Sequence, residues 1–143
     1  MSLKKLGLKD DKVEKYYFQS HKLGIVPKSL NKLQNKLFGI ECNFEELNGI
    51  DFKKGCYVGQ ENTARIKLKN KLSKRLLPIN IVKGELTEGE SIYYNENEIG
   101  KVLINKEFPF ALVKYRDENF NGKSNFNTKG ASIKIEKPDW IKN

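Results

Sequence analysis

The chain has 143 residues, 27 Lys plus Arg against 18 Asp plus Glu, a formal charge of +9, 38% hydrophobic residues, one His and two Cys. With 8 Phe, 6 Tyr and 1 Trp it holds enough large apolar groups to exclude intrinsic disorder, since a chain of this size buries about two thirds of its unfolded surface. No apolar run approaches the roughly 18 residues of a membrane helix, and Lys4 and Lys5 leave no room for a secretory signal, so the sequence reads as a soluble cytoplasmic protein of one or two small domains without a membrane partner.

Asp10 and Asp11 open a helical pattern with Val13, Tyr16, Tyr17 and Leu23 on or near one face, and Gly24 is placed to end it. Pro27 breaks the chain. Leu30, Leu33, Leu37 and Phe38 then recur at helical spacing before Gly39, a pattern that suits a short helix or a packed loop equally. Asn43 and Glu46 stand in the capping-box arrangement, with Phe44, Leu47 and Ile50 as an apolar side and Gly49 as terminator, which predicts one or two helical turns.

Beyond Lys71 the texture changes to short runs rich in Ile, Val, Leu and Tyr between polar clusters. Residues 75–82, 91–94, 99–104, 110–115 and 131–135 read as strands, five or six in all. Asn95 to Glu98 suits a hairpin and Asn121-Gly122 a second turn, so residues 73–143 are expected to form a small antiparallel barrel or sandwich.

The charge is unevenly spread: residues 1–39 carry +6, 40–64 carry −3, 65–83 carry +7 and 84–143 carry −1. A pI of about 9.4 is in the range of nucleic-acid binders. Its make-up argues the other way, because 24 of the cations are Lys and only Arg65, Arg75 and Arg116 carry the planar guanidinium that recognises phosphate and base edges bidentately. With 15 Asn beside them, the lysines fit a solvated surface better than a nucleic-acid face.

His21 is the single histidine, so neither a triad with a His base nor a two-His metal site can be built from this chain, and it reads as a partly exposed helix residue. Gly122-Lys123-Ser124 is like the tail of a phosphate-binding loop but has Asp117 where that motif needs Gly. Cys42 and Cys56 form no C-x-x-C pair; by count they could form one disulfide, and in a cytosolic setting thiols are the default.

One segment stands out, Asp51-Phe52-Lys53-Lys54-Gly55-Cys56-Tyr57-Val58-Gly59-Gln60-Glu61. A thiol between two glycines, preceded by two ammonium groups and followed by an expected helix start near Gln60, is a place where a thiolate can be stabilised. The glycines permit positive φ and close approach of a ligand to the backbone, and free amides at a helix start attract carboxylate or phosphate oxygens. Read from these features alone, a tight packed turn with an inert Cys is the plainer alternative.

The string from Asn43 to Glu61 is more specific than its parts. Residues Lys54 to Glu61 complete the signature K-G-C-Y-x-G-Q-E, followed downstream by Arg65, and the segment resembles the YgfZ-type folate-binding proteins, paralogues of the glycine cleavage T-protein (GcvT). Tyr16 to Ile25 is similar to the family's helix ending in R-x-x-x-G-I-P, with His21 or Lys22 where Arg is usual, and Glu136 to Trp140 is similar to its C-terminal ending. The resemblance implies an α+β chain: short helices and the signature loop from the end of a folate-binding GcvT-like domain (residues 1–72), then a small antiparallel β-barrel (73–143). It also implies that this chain is the later part of a larger ring of domains, without the T-protein's catalytic carboxylate.

The implied role is binding of tetrahydrofolate or a one-carbon derivative, coupled to assembly or repair of iron-sulfur clusters in client proteins. By the resemblance Cys56 is the reactive thiol and Lys54 the cation that favours its thiolate or meets an anionic folate tail. Gly55 and Gly59 shape the turn, Tyr57 packs, Gln60 and Glu61 bond the loop or the ligand, and Arg65 pairs with Glu61 one helical turn away. Cys42 lies outside the signature and is expected to pack. A single thiol disfavours a cluster owned by one chain, leaving transient contact with a client's cluster or redox exchange. Two alternatives stand beside this accessory role: an enzyme, a tetrahydrofolate-dependent aminomethyltransferase, and an RNA-binding module on the basic stretch 65–83, which lacks aromatics for base stacking.

Overall fold

A computed structural model describes residues 12–54, 64–65, 73–114 and 125–141. Helix α1 (Val13–Lys22) and a 3-10 turn at Leu30–Leu33 precede six strands: β1 (Arg75–Gly84), β2 (Ser91–Tyr94), β3 (Asn97–Ile104), β4 (Phe110–Val113), β5 (Asn125–Asn127) and β6 (Ala131–Ile135). The strands close a barrel in the order β1-β4-β3-β2-β5-β6, every pair antiparallel. The expected α+β architecture with a small antiparallel barrel is thus the one observed. The hairpin between β2 and β3 turns on Asn95 and Glu96, both at positive φ (45° and 71°), the mirror-type turn that matches strand twist. The Asn121-Gly122 turn lies outside the described residues.

β1 closes the barrel by changing partner midway: Arg75 to Pro78 pair with β4, and Ile79 onward pair with β6. Pro78 has no N–H to donate, and it stands at the changeover, where its carbonyl accepts from Glu136 N at 2.9 Å. The first half of β1 is buried on both faces. Leu77 and Ile79 point into the barrel core with Ile92, Ile99, Phe126 and Ile133. Leu76 points outward into a second cluster with Leu33, Leu103, Ile104 and Phe110, which Val26, Leu37 and Cys42 cover. Each fully buried Leu, Ile or Phe of these clusters is stabilised by roughly 1.5–3 kcal/mol on leaving water, and Val26, Leu33, Leu37 and Cys42, from the stretch after α1, cover the barrel's flank.

α1 differs from its expected shape. Its N-cap is Lys12, with no side-chain cap, and its end is a complete Schellman arrangement in which Gly24 N donates to His21 O (2.8 Å) and Ile25 N to Ser20 O (2.9 Å). Gly24 has φ +72°, and a Cβ there would lie 2.9 Å from Pro138, so glycine serves both the turn and the close approach. Trp140 Nε1 donates to Leu23 O at 3.0 Å, tying the C-terminal segment to the helix end. The face turned to the barrel carries Tyr17, Ser20, His21 and Gly24, spaced i, i+3, i+4, i+7, whereas Val13 and Tyr16 are exposed. Hydrophobicity alone misassigned that face.

Candidate functional site: the approach to the cysteine motif

Residues 39–48 form a succession of turns. The expected capping box is absent: Asn43 sits at φ +63°, whereas an N-cap residue needs extended backbone. That left-handed conformation, which Asn tolerates better than most residues, goes with a different use of the side chain. Asn43 Nδ2 donates to Leu76 O at 2.9 Å, and its Oδ1 accepts from Arg75 Nη1 at 2.9 Å. Arg75 Nη2 also ion-pairs with Glu46 Oε1, and Leu76 N donates to Glu41 O at 2.8 Å. Asn43 is fully buried and Arg75 is 7% exposed. The residues that lead into the signature are therefore fastened to the first two residues of β1.

From Glu46 the chain runs past Ile50 to an Asx turn, with Lys53 N donating to Asp51 Oδ1 at 2.8 Å. A cavity of about 370 Å³ is lined here by Glu45, Asn48, Ile50, Asp51, Phe52, Lys53 and Lys54. Lys53 and Lys54 are exposed, as is Arg65 further on. The other expected site residues, Gly55, Cys56, Tyr57, Gly59, Gln60 and Glu61, lie outside the described residues, and so does the expected Glu61–Arg65 pair.

Three residues outside the signature acquire definite roles. Cys42 packs as expected at the edge of the second cluster, where burial, with a smaller contribution from Glu41, pushes its thiol up to about 11 and so keeps it protonated. His21, expected to be partly exposed, is 5% exposed: its Nε2 lies 2.9 Å from Pro109 O, and its ring meets Phe110 edge-on at 5.0 Å. A carbonyl only accepts, so that bond requires the proton on Nε2. Arg75, counted with the basic stretch 65–83, points into the fold and away from any phosphate, while Lys74 is exposed and Lys67, Lys69 and Lys71 lie outside the described residues. No group of three or more His, Cys, Asp or Glu among the described residues is arranged to hold a metal ion, and no helix there is long and apolar enough to cross a membrane.

A second cavity, about 210 Å³ and apolar, lies between Gly24, Ile25, Val26, Leu30, Leu33, Cys42, Phe44 and Leu47. Its rim residues Leu30 and Phe44 are exposed. Neither this cavity nor the Asn43–Glu46–Arg75 cluster was legible from the sequence. The one available hint was Asn43, Glu46 and Arg75 as polar residues within or beside otherwise apolar runs.

Fold and site together define an α+β protein in which a closed antiparallel barrel carries a fastened, turn-rich segment leading into a lysine-flanked cysteine motif. No family model matches the chain. It is similar to proteins named iron-sulfur cluster assembly factor IBA57 homolog, mitochondrial. Identity is 36% over 73 residues with that of Neosartorya fischeri (50% of this chain, 16% of the relative). It is 41% over 63 residues with that of Neurospora crassa (44% and 14%), and 40% over 55 residues with that of Dictyostelium discoideum (38% and 14%). The matched stretches thus span about a sixth or less of the length of these curated relatives.

Proposed function

We propose that this chain is part of a YgfZ-type protein that binds a tetrahydrofolate derivative and assists assembly or repair of iron-sulfur clusters in client proteins. The observation that carries the reading is the unbroken K-G-C-Y-V-G-Q-E motif at Lys54 to Glu61, and the similarity to iron-sulfur cluster assembly factors supports it. In this reading residues 1–72 are the end of a folate-binding domain and 73–143 its barrel. The role is that of an accessory factor, with aminomethyl transfer as the enzyme alternative. Burial of Arg75 weighs against the RNA-binding alternative.

The residues present fit such a ligand. The cavity before the motif falls within the roughly 300–1,000 Å³ of small-molecule sites, and it offers apolar wall from Ile50 and Phe52, an amide from Asn48, and two exposed ammonium groups, Lys53 and Lys54, for a carboxylate tail. Bound folate would supply a one-carbon carrier. The protein's own part is to hold the tail by charge, shape the approach with Gly55 and Gly59, and present Cys56, whose thiolate the adjacent lysines favour. The relatives' names place them in mitochondria, and a cytoplasmic setting for this chain is part of the proposal that fractionation would test.

The test has two arms. Titration of tetrahydrofolate by calorimetry should give saturable binding that Lys53→Glu plus Lys54→Glu weakens at least tenfold, and absence of binding to the protein as it occurs in its cells would refute the folate reading. Cys56→Ala should lower the activity of iron-sulfur client enzymes in those cells without lowering the protein's amount. Unchanged client activity would refute the role of the thiol.

A further inference from the structure

A third cavity, of about 680 Å³, lies between the last turn of α1 and the chain from β6 to Trp140. It shares no lining residue with the two cavities described above, and its volume is within the range of small-molecule sites. Its wall is held in place from several sides. Trp140 Nε1 donates to Leu23 O at 3.0 Å. On one side of Trp140, Pro138 is buried against Gly24, where an added Cβ would lie 2.9 Å from the proline ring. On the other, Ile141 is 4% exposed within the barrel core. The half-buried indole cannot leave the cavity wall without breaking its bond to α1 and disturbing both anchors, and a site fixed in this way spends little entropy on ordering when a ligand arrives.

Charge gives the cavity its sign. Lys22 from α1, Lys134 from β6 and Lys137 beyond it line the cavity against two acids, Glu136 and Asp139, and Glu136 Oε1 accepts from Asn80 Nδ2 on β1. Lys22 and Lys134 are exposed, and neither has an ion-pair partner among the described residues. A helix C-terminus ordinarily favours cations, because its last carbonyls are unbonded. Here the carbonyls of Gln19, Ser20, His21 and Leu23 already accept, from Leu23 N, Ile25 N, Gly24 N and Trp140 Nε1, all within 3.0 Å. The ammonium groups therefore dominate what the helix end presents. No Arg is among the described residues that line the cavity; guanidinium suits planar, bidentate recognition, whereas lysines bind phosphate as point charges. The indole adds a flat apolar surface, on which any nucleobase can stack. We propose that this cavity binds a small nucleoside phosphate, with the base against Trp140 and the phosphate between Lys22 and Lys134.

Trp140 is the only tryptophan of the chain, so its emission, excited at the red edge of indole absorption, reports on this cavity. The full chain is titrated with adenosine monophosphate, adenosine and inorganic phosphate. The monophosphate should quench saturably, with half-saturation below about 1 mM. Adenosine should bind at least tenfold more weakly, and inorganic phosphate should compete without quenching. Lys22→Glu plus Lys134→Glu, both at exposed positions, should weaken the monophosphate at least tenfold while leaving the thermal midpoint unchanged; if the pair fails to fold, Lys22→Gln and Lys134→Gln are compared singly. Lys53→Glu plus Lys54→Glu, in the cavity before the cysteine motif, should change nothing. Quenching that rises linearly, as for free N-acetyltryptophanamide, would overturn the proposal. So would saturable quenching that folded Lys22 and Lys134 variants leave intact, or that the Lys53 and Lys54 changes abolish.

Discussion

The two cysteines should differ sharply in reactivity, and Cys42 tests the structure most directly. In a Cys56→Ser variant the only thiol is Cys42, whose pKa burial pushes up to about 11. At pH 8 its thiolate fraction is then about one in a thousand, against roughly one in four for an ordinary thiol near 8.5. The deficit in reactive species is about 200-fold. A more basic thiolate is also the better nucleophile, with a Brønsted slope of about 0.4–0.5, which returns roughly tenfold. Alkylation at pH 8 should therefore run about 10- to 20-fold slower in the folded protein than in 8 M urea, before any added protection from packing beside Leu33 and Leu76. The pH profile should keep rising beyond pH 10. The linkage has the same sign: a raised thiol pKa leaves stability whole below the unfolded value and erodes it as pH climbs through the folded one. Equal rates in the folded and urea-unfolded states, or a profile levelling near pH 9, would refute the placement of Cys42.

Two further outcomes probe the seams between elements. Trp140→Phe should cost about 1 kcal/mol by deleting the bond from Nε1 to Leu23 O, measured by urea denaturation. No loss would mean that the C-terminal segment is not fastened to α1. Glu88 accepts from Lys32 and Lys36, which hold its carboxyl below the usual range. Stability from it is present above the unfolded carboxylate pKa and lost as pH falls through the lower folded value, so Glu88→Gln should flatten the acid limb of a stability-against-pH curve below about pH 4.5. An acid limb identical to the parent's would exclude that contribution.

The barrel was legible because its code is local. Ser91 to Tyr94 and Ala131 to Ile135 were bounded to the residue by β-branched and aromatic runs between polar clusters, since alternation along a strand is set by the backbone itself. β5 escaped notice because Asn125-Phe126-Asn127 offers one apolar residue between two poor strand formers, and its neighbours β2 and β6 supply the pairing. The motif at Lys54 to Glu61 was equally local, a matter of residue identity.

What the sequence could not reveal was which face of each non-barrel segment finds a partner. His21 looked solvent-facing until Phe108, Pro109 and Phe110 came to lie beside it, 88 positions from its bonded carbonyl. Asn43 and Glu46 carry a valid capping pattern, yet Arg75 from the first strand claimed both side chains. Composition and motif alone determined a barrel-forming chain with a cysteine motif ahead of it. The tertiary structure decided how the segment leading into that motif is held, because buried charge and amide groups must be satisfied by whatever the fold brings within 3 Å, and that pairing has no signature in the order of residues.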